Sequence, residues 1–385
     1  MNKISIAKLP LLAASLLAFS SCNAADVDKK TPVQGAHNIE AEKPFNEEII
    51  AQFNEPWAMA FVPESPYALI TEKSGKMLLW RADDEILQIA NVPKVDYGGQ
   101  GGLGDVVISP DYLKTGHIYF SWVEAGENDT RGAVVARAKL RLDGDGAPAL
   151  DNINIIWKQF PKVTGRGHFS HRIAFSPDGR YIFIGSGERQ KFDPAQDMSA
   201  NLGKIIRLNL DGSIPQDNPF AAQGGIAAQI WSLGHRNILG ITFDLHGNLW
   251  NQEMGPAGGD ELNLVQKGAN YGYPTVSNGD HYDGRDIPDH SAKDGFEAPA
   301  LWWNPAVSPG GLMTYNGNLF PQWRGSLFMG GLGAQSLIRI KLNGKKAEKG
   351  EQWNMEMRVR EVENGPDGAI WILEDGGKMI RLTPK

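Results

Sequence analysis

The chain has 385 residues, of which 41% are hydrophobic and 22% are charged, and this ordinary globular composition excludes disorder for the bulk of it. The formal net charge is −7 and there is no basic block, so nucleic acid is not an expected partner. A single cysteine excludes an internal disulfide.

The N-terminus has the pattern of a secretory signal. Within residues 1–25, a positively charged start precedes a short apolar stretch and then small residues, and the apolar stretch is too short to span a membrane. Cys22 resembles the lipidated cysteine of a bacterial lipoprotein, with plain cleavage near Ala24 as the alternative. We therefore expect an exported, periplasmic protein, with an outer-membrane lipid anchor if Cys22 is lipidated. Residues 26–47 are polar and predict a flexible N-terminal arm.

A strand–turn–strand phrase recurs along the rest of the chain. Its six copies begin at Trp57, Gly104, Arg172, Gly240, Gly311 and Arg360. Radial repetition of short strands is typical of propellers, so the sequence predicts an all-β, six-bladed β-propeller over residues 48–385. Several intervals exceed the length of a four-stranded blade, which places extra residues in loops such as 190–201 and 270–299. Long loops in a compact domain are usually functional.

Polar side chains lie just upstream of the first strand in four copies of the phrase. A histidine there can accept a proton near neutral pH, and arginine beside asparagine suits a planar ligand with carboxylates or carbonyls. Structural histidines and solvated arginines remain the alternatives. Equivalent positions in a propeller converge on one end of its axis. We therefore expect one cavity to be surrounded by the following residues: Gln100, His168, Arg236, Asn237, Arg358 and Arg360.

Two further stretches are rich in glycine. Residues 253–263 combine acidic side chains with Gly and Pro carbonyls, which are hard oxygen ligands that suit calcium rather than zinc. The spacing is not that of an EF-hand, and an acidic surface turn without metal is the alternative. Residues 98–104 are glycine-rich but lack the lysine of a nucleotide-binding loop, so a plain turn is the simpler interpretation.

Together these motifs resemble the soluble quinoprotein glucose and aldose sugar dehydrogenases. The resemblance covers residues 54–382. It is carried by Gly99-Gln-Gly-Gly-Leu-Gly, Gly167-His-Phe, Gly234-His-Arg-Asn, Asp260-Glu-Leu-Asn and Arg358-Val-Arg-Glu. It implies a six-bladed propeller that oxidises an aldose at the anomeric carbon to a lactone, by hydride transfer to pyrroloquinoline quinone with the assistance of calcium. An electron acceptor such as a cytochrome or a quinone would then reoxidise the cofactor.

The resemblance also implies roles for individual residues. His168 would take the proton of the anomeric hydroxyl, and Arg236 would stabilise negative charge that develops on the quinone oxygen. The resemblance places the following residues at the cofactor, with the first of them lining the substrate side: Gln100, Asn237, Arg358 and Arg360. The carbonyl oxygens of Gly255 and Pro256 resemble the ligands of the catalytic calcium, while Glu261 and Tyr271 match positions that bind a second, structural calcium.

Two departures from the family pattern stand out. The family usually has a lysine that reaches the cofactor from the outgoing loop of the fifth blade, and here that position falls near Gly333, with no lysine between Arg324 and Lys341. His171 replaces a smaller residue, so the wall of the expected cavity beside His168 is bulkier. The alternatives are a calcium-dependent propeller hydrolase of the lactonase type and a non-catalytic propeller that binds glycans or a partner protein.

Overall fold

The structure is a computed structural model in which residues 38–40, 42–83, 85–142 and 147–385 are described. The predicted signal and Cys22 lie outside the described residues, so export and lipidation stay predictions. Within the described part of the chain, no helix is long and apolar enough to cross a membrane.

The described residues form short strands connected by turns. The strands are β1 (Asn38–Glu40), β2 (Phe45–Gln52), β3 (Pro56–Phe61), β4 (Tyr67–Glu72), β5 (Lys76–Arg81), β6 (Ile86–Gln88), β7 (Leu103–Ile108), β8 (His117–Ala125), β9 (Arg131–Arg141), β10 (Ala149–Lys158), β11 (Ser170–Phe175), β12 (Tyr181–Ser186), β13 (Lys204–Asn209), β14 (Ile230–Leu233), β15 (Ile238–Phe243), β16 (Leu249–Glu253), β17 (Asp260–Leu264), β18 (Leu301–Trp303), β19 (Pro309–Thr314), β20 (Leu327–Gly331), β21 (Ser336–Asn343), β22 (Lys346–Asn354), β23 (Val359–Asn364), β24 (Ile370–Glu374) and β25 (Lys378–Pro384). An α-helical turn lies at Tyr112–Thr115, and 3-10 turns lie at Asp193–Ala195, Ala221–Gln223, Ala227–Gln229 and Pro321–Trp323.

The strands form six sheets arranged as the blades of a propeller, which confirms the predicted fold. The first four blades are β3 to β6, β7 to β10, β11 to β14 and β15 to β18; the fifth is β19 to β22 with β1, and the sixth is β23 to β25 with β2. The innermost strands are β3, β7, β11, β15, β19 and β23, and they coincide with the first strand of each phrase. Each of them contacts the innermost strands of both neighbouring blades, so the ring is closed.

The apolar core is divided among the spaces between blades. Six buried clusters are present, and each one joins two adjacent blades, including the sixth and the first. Because both faces of each sheet are covered, many strands are nearly continuous in apolar residues rather than alternating with polar ones.

Arg172 of β11 links five blades at the centre of the ring. Its guanidinium forms ion pairs with Asp105 of β7, at 3.4 Å, and with Glu361 of β23. Its Nε donates to the Leu239 carbonyl of β15 at 2.8 Å, and the guanidinium lies 3.9 Å from the ring centroid of Trp57 in β3. The innermost strands are therefore held together by charge and hydrogen bonding as well as by apolar packing.

All six innermost strands carry a β-bulge or register shift near their first residues. Bulges bend a strand and re-aim its side chains, and they are common beside active sites. The polar residues singled out from the sequence lie at or next to these bulged ends. Irregular backbone is thus concentrated at one end of the propeller.

Part of the segment predicted as a flexible arm is instead ordered in strands. Within residues 26–47, β1 pairs in parallel with β22, and β2 begins at Phe45 and pairs with β25. The N-terminal strand β2 therefore closes the blade formed by the C-terminal strands. The physical reason is burial: Phe45 is 2% exposed and lies edge-on to Trp323 and Trp353 of the fifth blade.

We predict that Phe45→Ala lowers the free energy of unfolding by about 3–5 kcal/mol, because it removes an aromatic ring packed between two blades. Ile49→Ala is the matched control, since Ile49 lies on the same strand but is 62% exposed, and its effect should stay within about 0.5 kcal/mol. Denaturant unfolding measures both. Equal effects would show that β2 does not close the ring in solution.

Candidate active site

Two cavities, rather than the one expected, lie at the bulged end of the propeller. The first, the arginine cavity, has a volume of 230 Å³ and is lined by residues that include Lys73, Gln100, His171, Arg358, Arg360 and Asp375. The second, the histidine cavity, has a volume of 220 Å³ and is lined by residues that include His168, Glu188, Phe192, Arg236, Tyr273 and Tyr282. Five of the six residues expected around one cavity thus lie at one end, but they are divided between two spaces.

Gln100 connects the two cavities. It lines the arginine cavity, and its side-chain carbonyl accepts a hydrogen bond from the backbone N–H of His168 at 2.7 Å. Its own backbone N–H donates to the Arg166 carbonyl at 2.8 Å. Gly99 has φ +59°, and a Cβ there would lie 2.6 Å from that same carbonyl oxygen, so the loop needs glycine for this approach.

His168 is a buried histidine held by a buried carboxylate. Its Nδ1 is hydrogen-bonded to Glu188 Oε1, and Glu188 Oε2 accepts the backbone N–H groups of Lys191 and Phe192 at 2.6 and 2.8 Å. Burial would raise the pKa of Glu188, but the hydrogen bonds from His168 and the backbone hold it below its usual value. An ionised carboxylate only accepts hydrogen bonds, so Nδ1 carries the hydrogen and Nε2 is the basic nitrogen.

Burial lowers the pKa of His168 below its usual value of 6.5, and Glu188 opposes this shift only in part. His168 is therefore neutral at pH 7. The residue also adopts φ +50°, as Ser170 and His171 adopt φ +58° and +56°, so the backbone around the base lies in the left-handed region. Such conformations cluster at functional sites, where the surrounding structure maintains them.

Arg236 lines the histidine cavity and bonds to the backbone of Met254, a residue that lines the arginine cavity. Its Nη1 donates to the carbonyl oxygens of Met254 and Gly255 at 2.8 and 2.6 Å, while its buried Nε has no hydrogen-bond partner. The Gly255 carbonyl is one of the two predicted calcium ligands; the other, Pro256, lines the histidine cavity. Arg236 thus occupies the carbonyl that the predicted calcium would use.

Asn237 lines neither cavity. It is fully buried, its side-chain carbonyl accepts from the Ser170 hydroxyl at 3.2 Å, and its amide lies 3.9 Å from the Met254 sulfur. In this structure it supports the backbone beside the base rather than presenting an amide to a ligand.

A single carboxylate organises the two arginines of the sixth blade. Arg358 Nε donates to Asp375 Oδ2 at 2.9 Å and Arg360 Nε to Asp375 Oδ1 at 2.8 Å. The two guanidinium groups are therefore fixed side by side with further N–H donors available for a ligand.

His171 is accommodated by a neighbouring glycine. Its ring stacks on Trp57 at 5.1 Å, and Nδ1 is hydrogen-bonded to the Ser121 hydroxyl at 2.8 Å. A Cβ on Gly104 would lie 1.9 Å from the His171 ring, so the glycine makes room for it. Burial lowers the pKa of His171 to about 3, which leaves a neutral ring in the floor of the arginine cavity.

Several site residues lie directly after the second strand of a blade, a position from which the sequence pointed only to the loop near Gly333 and to the carbonyls of Gly255 and Pro256. Because second strands run antiparallel to the innermost ones, their ends return to the same end of the propeller. The residues that follow β4, β16, β20 and β24 and line the arginine cavity are Lys73, Met254, Leu332 and Asp375. Glu188 lies two residues after β12. A carboxylate or a lysine directly after the second strand of a blade is the sequence pattern that could have identified these residues.

The structure also explains the glycine where the family has a lysine. Leu332 lines the arginine cavity, but the next residue, Gly333, donates its N–H to the Val307 carbonyl at 3.1 Å. A Cβ on Gly333 would lie 2.7 Å from the Ser308 hydroxyl oxygen. A side chain therefore does not fit at this position unless Ser308 moves.

The predicted structural calcium position contains two buried carboxylates. Glu253 and Glu261 pair across β16 and β17, and burial together with the neighbouring Glu253 raises the pKa of Glu261 well above its usual value. The side-chain carbonyls of Asn251 and Asn263, which pair on the same strands, are buried without hydrogen-bond partners. Unpartnered oxygen atoms beside two carboxylates are a donor set that fits a hard cation.

The hydroxyl of Tyr271 is used within the protein. It donates to the Leu264 carbonyl at 2.5 Å and accepts the Gln266 N–H at 2.9 Å, so only the Tyr271 carbonyl remains as a metal ligand. The described residues include no group of three or more His, Cys, Asp or Glu side chains placed to hold a metal ion. Any calcium here would be held by the Glu261 carboxylate together with backbone and amide oxygens.

Known proteins are similar to this chain in both fold and sequence. The profile of the Glucose / Sorbosone dehydrogenase family matches residues 53–381. The aldose sugar dehydrogenase YliI of Escherichia coli (strain K12) is 36% identical over 342 residues, covering 87% of this chain and 91% of that protein. A solved glucose dehydrogenase structure has 37% identity and a TM-score of 0.84, covering 88% of this chain and all of its own (100%).

A cofactor-bound structure is also similar. The PQQ-bound form of the aldose sugar dehydrogenase from Streptomyces coelicolor has 25% identity and a TM-score of 0.72, with 91% of this chain and 100% of that chain covered. The family profile spans most of the propeller, and the relatives match along nearly their whole length. The chain therefore belongs to the glucose/sorbosone dehydrogenase family.

Proposed function

We propose that this protein is a pyrroloquinoline quinone-dependent, calcium-assisted dehydrogenase that oxidises the anomeric carbon of an aldose to a lactone. The observation that carries the proposal is the neutral His168, fixed by Glu188 and joined through Gln100 to a cationic cavity. Relatives named as sugar dehydrogenases support an oxidoreductase, and the PQQ-bound relative supports the cofactor.

The arginine cavity fits a ligand with several carboxylates. Arg358 and Arg360 present donors that Asp375 has already oriented, so little side-chain freedom is lost when a carboxylate binds. When bound, pyrroloquinoline quinone supplies a two-electron acceptor for the hydride of the anomeric carbon. Arg236 adds positive charge to the lining of the histidine cavity and would stabilise negative charge that develops on the oxidant.

The chain's own residues handle the proton. His168 Nε2 accepts the proton of the anomeric hydroxyl as the C–H bond of the same carbon breaks and its C–O bond becomes a carbonyl, which gives the lactone. The imidazolium that forms is stabilised by the Glu188 carboxylate at Nδ1. Burial keeps the base neutral before the reaction, and the ion pair with Glu188 lowers the cost of charging it.

Calcium would be held by the Gly255 and Pro256 carbonyls, with Glu261 and the Tyr271 carbonyl at the structural position. Asp260 supports the first of these sites, because it accepts the Gly255 N–H at 2.9 Å and the Val307 and Ser308 N–H groups at 2.7 Å. Calcium binding at Gly255 requires Arg236 to release that carbonyl. Export, a lipid anchor at Cys22 and a cytochrome or quinone as electron acceptor remain part of the proposal.

Reconstitution tests the function. The protein without cofactor is mixed with calcium and pyrroloquinoline quinone, and aldose-dependent reduction of a dye acceptor is followed. We expect turnover in the wild type and at least a hundredfold loss in His168→Gln, since a positioned base contributes about 10²–10⁴-fold. Sugar oxidation that is insensitive to cofactor, or lactone hydrolysis without it, would contradict the proposal and favour the hydrolase alternative.

We predict that Glu188→Gln lowers kcat by about 10²-fold with little change in KM, because an amide can donate to Nδ1 and so place the hydrogen on Nε2. Glu127→Gln is the control, since Glu127 is exposed and lines neither cavity. Steady-state kinetics with both variants give the result. Small and equal changes in kcat for Glu188→Gln and Glu127→Gln would show that Glu188 does not orient the base.

The pH profile of the wild type follows from the direction of the His168 shift. Since its pKa lies below 6.5 in the folded protein, the base is neutral above that pH and protonated only in more acidic solution. We predict that kcat/KM rises along an acid limb below pH 6.5 and is flat near pH 7. A limb centred above pH 7 would mean that His168 is not the base that the free enzyme uses.

We predict that Glu261→Gln stabilises the calcium-free protein by roughly 1 kcal/mol and reduces the stabilisation that calcium confers. Removing one of two adjacent buried carboxylates relieves repulsion, yet it also removes a ligand charge. Thermal melting with calcium and with a chelator measures both effects, and Glu356→Gln at an exposed position is the control. An unchanged calcium effect would remove Glu261 from the metal site.

A further inference from the structure

Positive side chains outnumber negative ones in the lining of the arginine cavity. Three cationic side chains, Lys73, Arg358 and Arg360, face a single carboxylate, Asp375. His171, the remaining titratable side chain of the lining, is neutral because burial lowers its pKa to about 3. The cavity therefore carries an excess of two positive charges, which suits a ligand with more than one carboxylate.

Lys73 is the cation in this cavity with the weakest internal partners. Its ammonium lies 3.5 Å from Glu55, whose side chain is 49% exposed and also accepts from the Tyr97 hydroxyl. The Lys73 side chain is only 18% exposed. An ammonium has three donors, and here one is used at the limit of hydrogen-bonding distance. By contrast, both arginines are paired with Asp375 at 2.9 Å or less.

The glycine-rich loop holds Lys73 in place. The Lys73 carbonyl accepts the Leu103 N–H at 3.1 Å, and its N–H donates to the Glu55 carbonyl at 3.1 Å. Gly102 has φ +143°, and a Cβ there would lie 2.1 Å from the Lys73 carbonyl oxygen. The loop can approach this backbone only because the residue is glycine. This contact gives the glycine-rich residues 98–104 a structural role, which is to hold the backbone of Lys73, and no bound nucleotide is needed to explain them.

Lys73 also occupies a repeated position. It directly follows the second strand of the first blade, as Leu332 follows the second strand of the fifth, and both line the arginine cavity. We propose that Lys73 binds a carboxylate of the pyrroloquinoline quinone and supplies from the first blade the positive charge that Gly333 does not provide. This inference rests on the proposed function and adds to it a cofactor-binding residue.

Cofactor binding, measured without turnover, tests this role. Protein free of cofactor is titrated with pyrroloquinoline quinone in the presence of calcium, and Kd is obtained by calorimetry and cofactor absorbance. We expect Lys73→Gln to raise Kd about tenfold or more, the scale of one charged hydrogen bond, and Lys73→Arg to retain most of the affinity. The dependence of Kd on ionic strength should also weaken in Lys73→Gln.

Lys76→Gln is the matched control, because it makes the same change in net charge as Lys73→Gln. Lys76 directly follows the turn that contains Lys73, is exposed and lies outside the cavity lining. Melting temperatures without cofactor establish that all variants are folded. Equal Kd values for Lys73→Gln, Lys76→Gln and the wild type would overturn the role of Lys73 and leave the proposed function standing. Absence of cofactor binding by the folded wild type would instead overturn the proposed function, and the role of Lys73 with it.

Discussion

The buried guanidinium of Arg172 is the interaction on which the geometry of this site depends. It joins the innermost strands of the second, third, fourth and sixth blades and packs on Trp57 of the first. A buried ion pair contributes little net stability when its desolvation cost is counted, but loss of one partner leaves an uncompensated charge. The pairing therefore fixes how the strands meet. His168 lies four residues upstream, so the position of the base follows from the same contacts.

The irregular ends of the blades then provide the chemistry. The bulged starts of the innermost strands carry or adjoin His168, Arg236 and Arg360, while the residues after the second strands add Glu188 and Asp375. Each group from the first set is oriented by one from the second: Glu188 holds the base, and Asp375 holds the arginine pair. Orienting these side chains before a ligand binds reduces the conformational entropy that is lost on binding.

The sequence was sufficient for the fold and for one half of the site. The six phrases predicted six blades because each phrase is a local strand–turn–strand unit, and His168 and Arg358 were recognised because they precede those phrases. Glu188 and Asp375 were missed because they follow second strands, whose outgoing loops vary in length and carry no common motif. The closure by β2 was missed because Phe45 pairs with Pro384 at the opposite end of the chain. The division into two cavities was missed because it depends on how side chains pack in three dimensions, which no spacing rule predicts.

We infer that the two cavities are parts of one site, with the cofactor in the cationic part and the sugar beside His168. A crystal structure of the protein with pyrroloquinoline quinone, calcium and a non-oxidisable sugar analogue tests this arrangement. We expect cofactor carboxylates on Arg358 and Arg360, Arg236 released from the Gly255 carbonyl, and the anomeric oxygen of the analogue within hydrogen-bonding distance of His168 Nε2. Cofactor bound elsewhere, or a sugar held away from His168 with Arg236 still on Gly255, would contradict it.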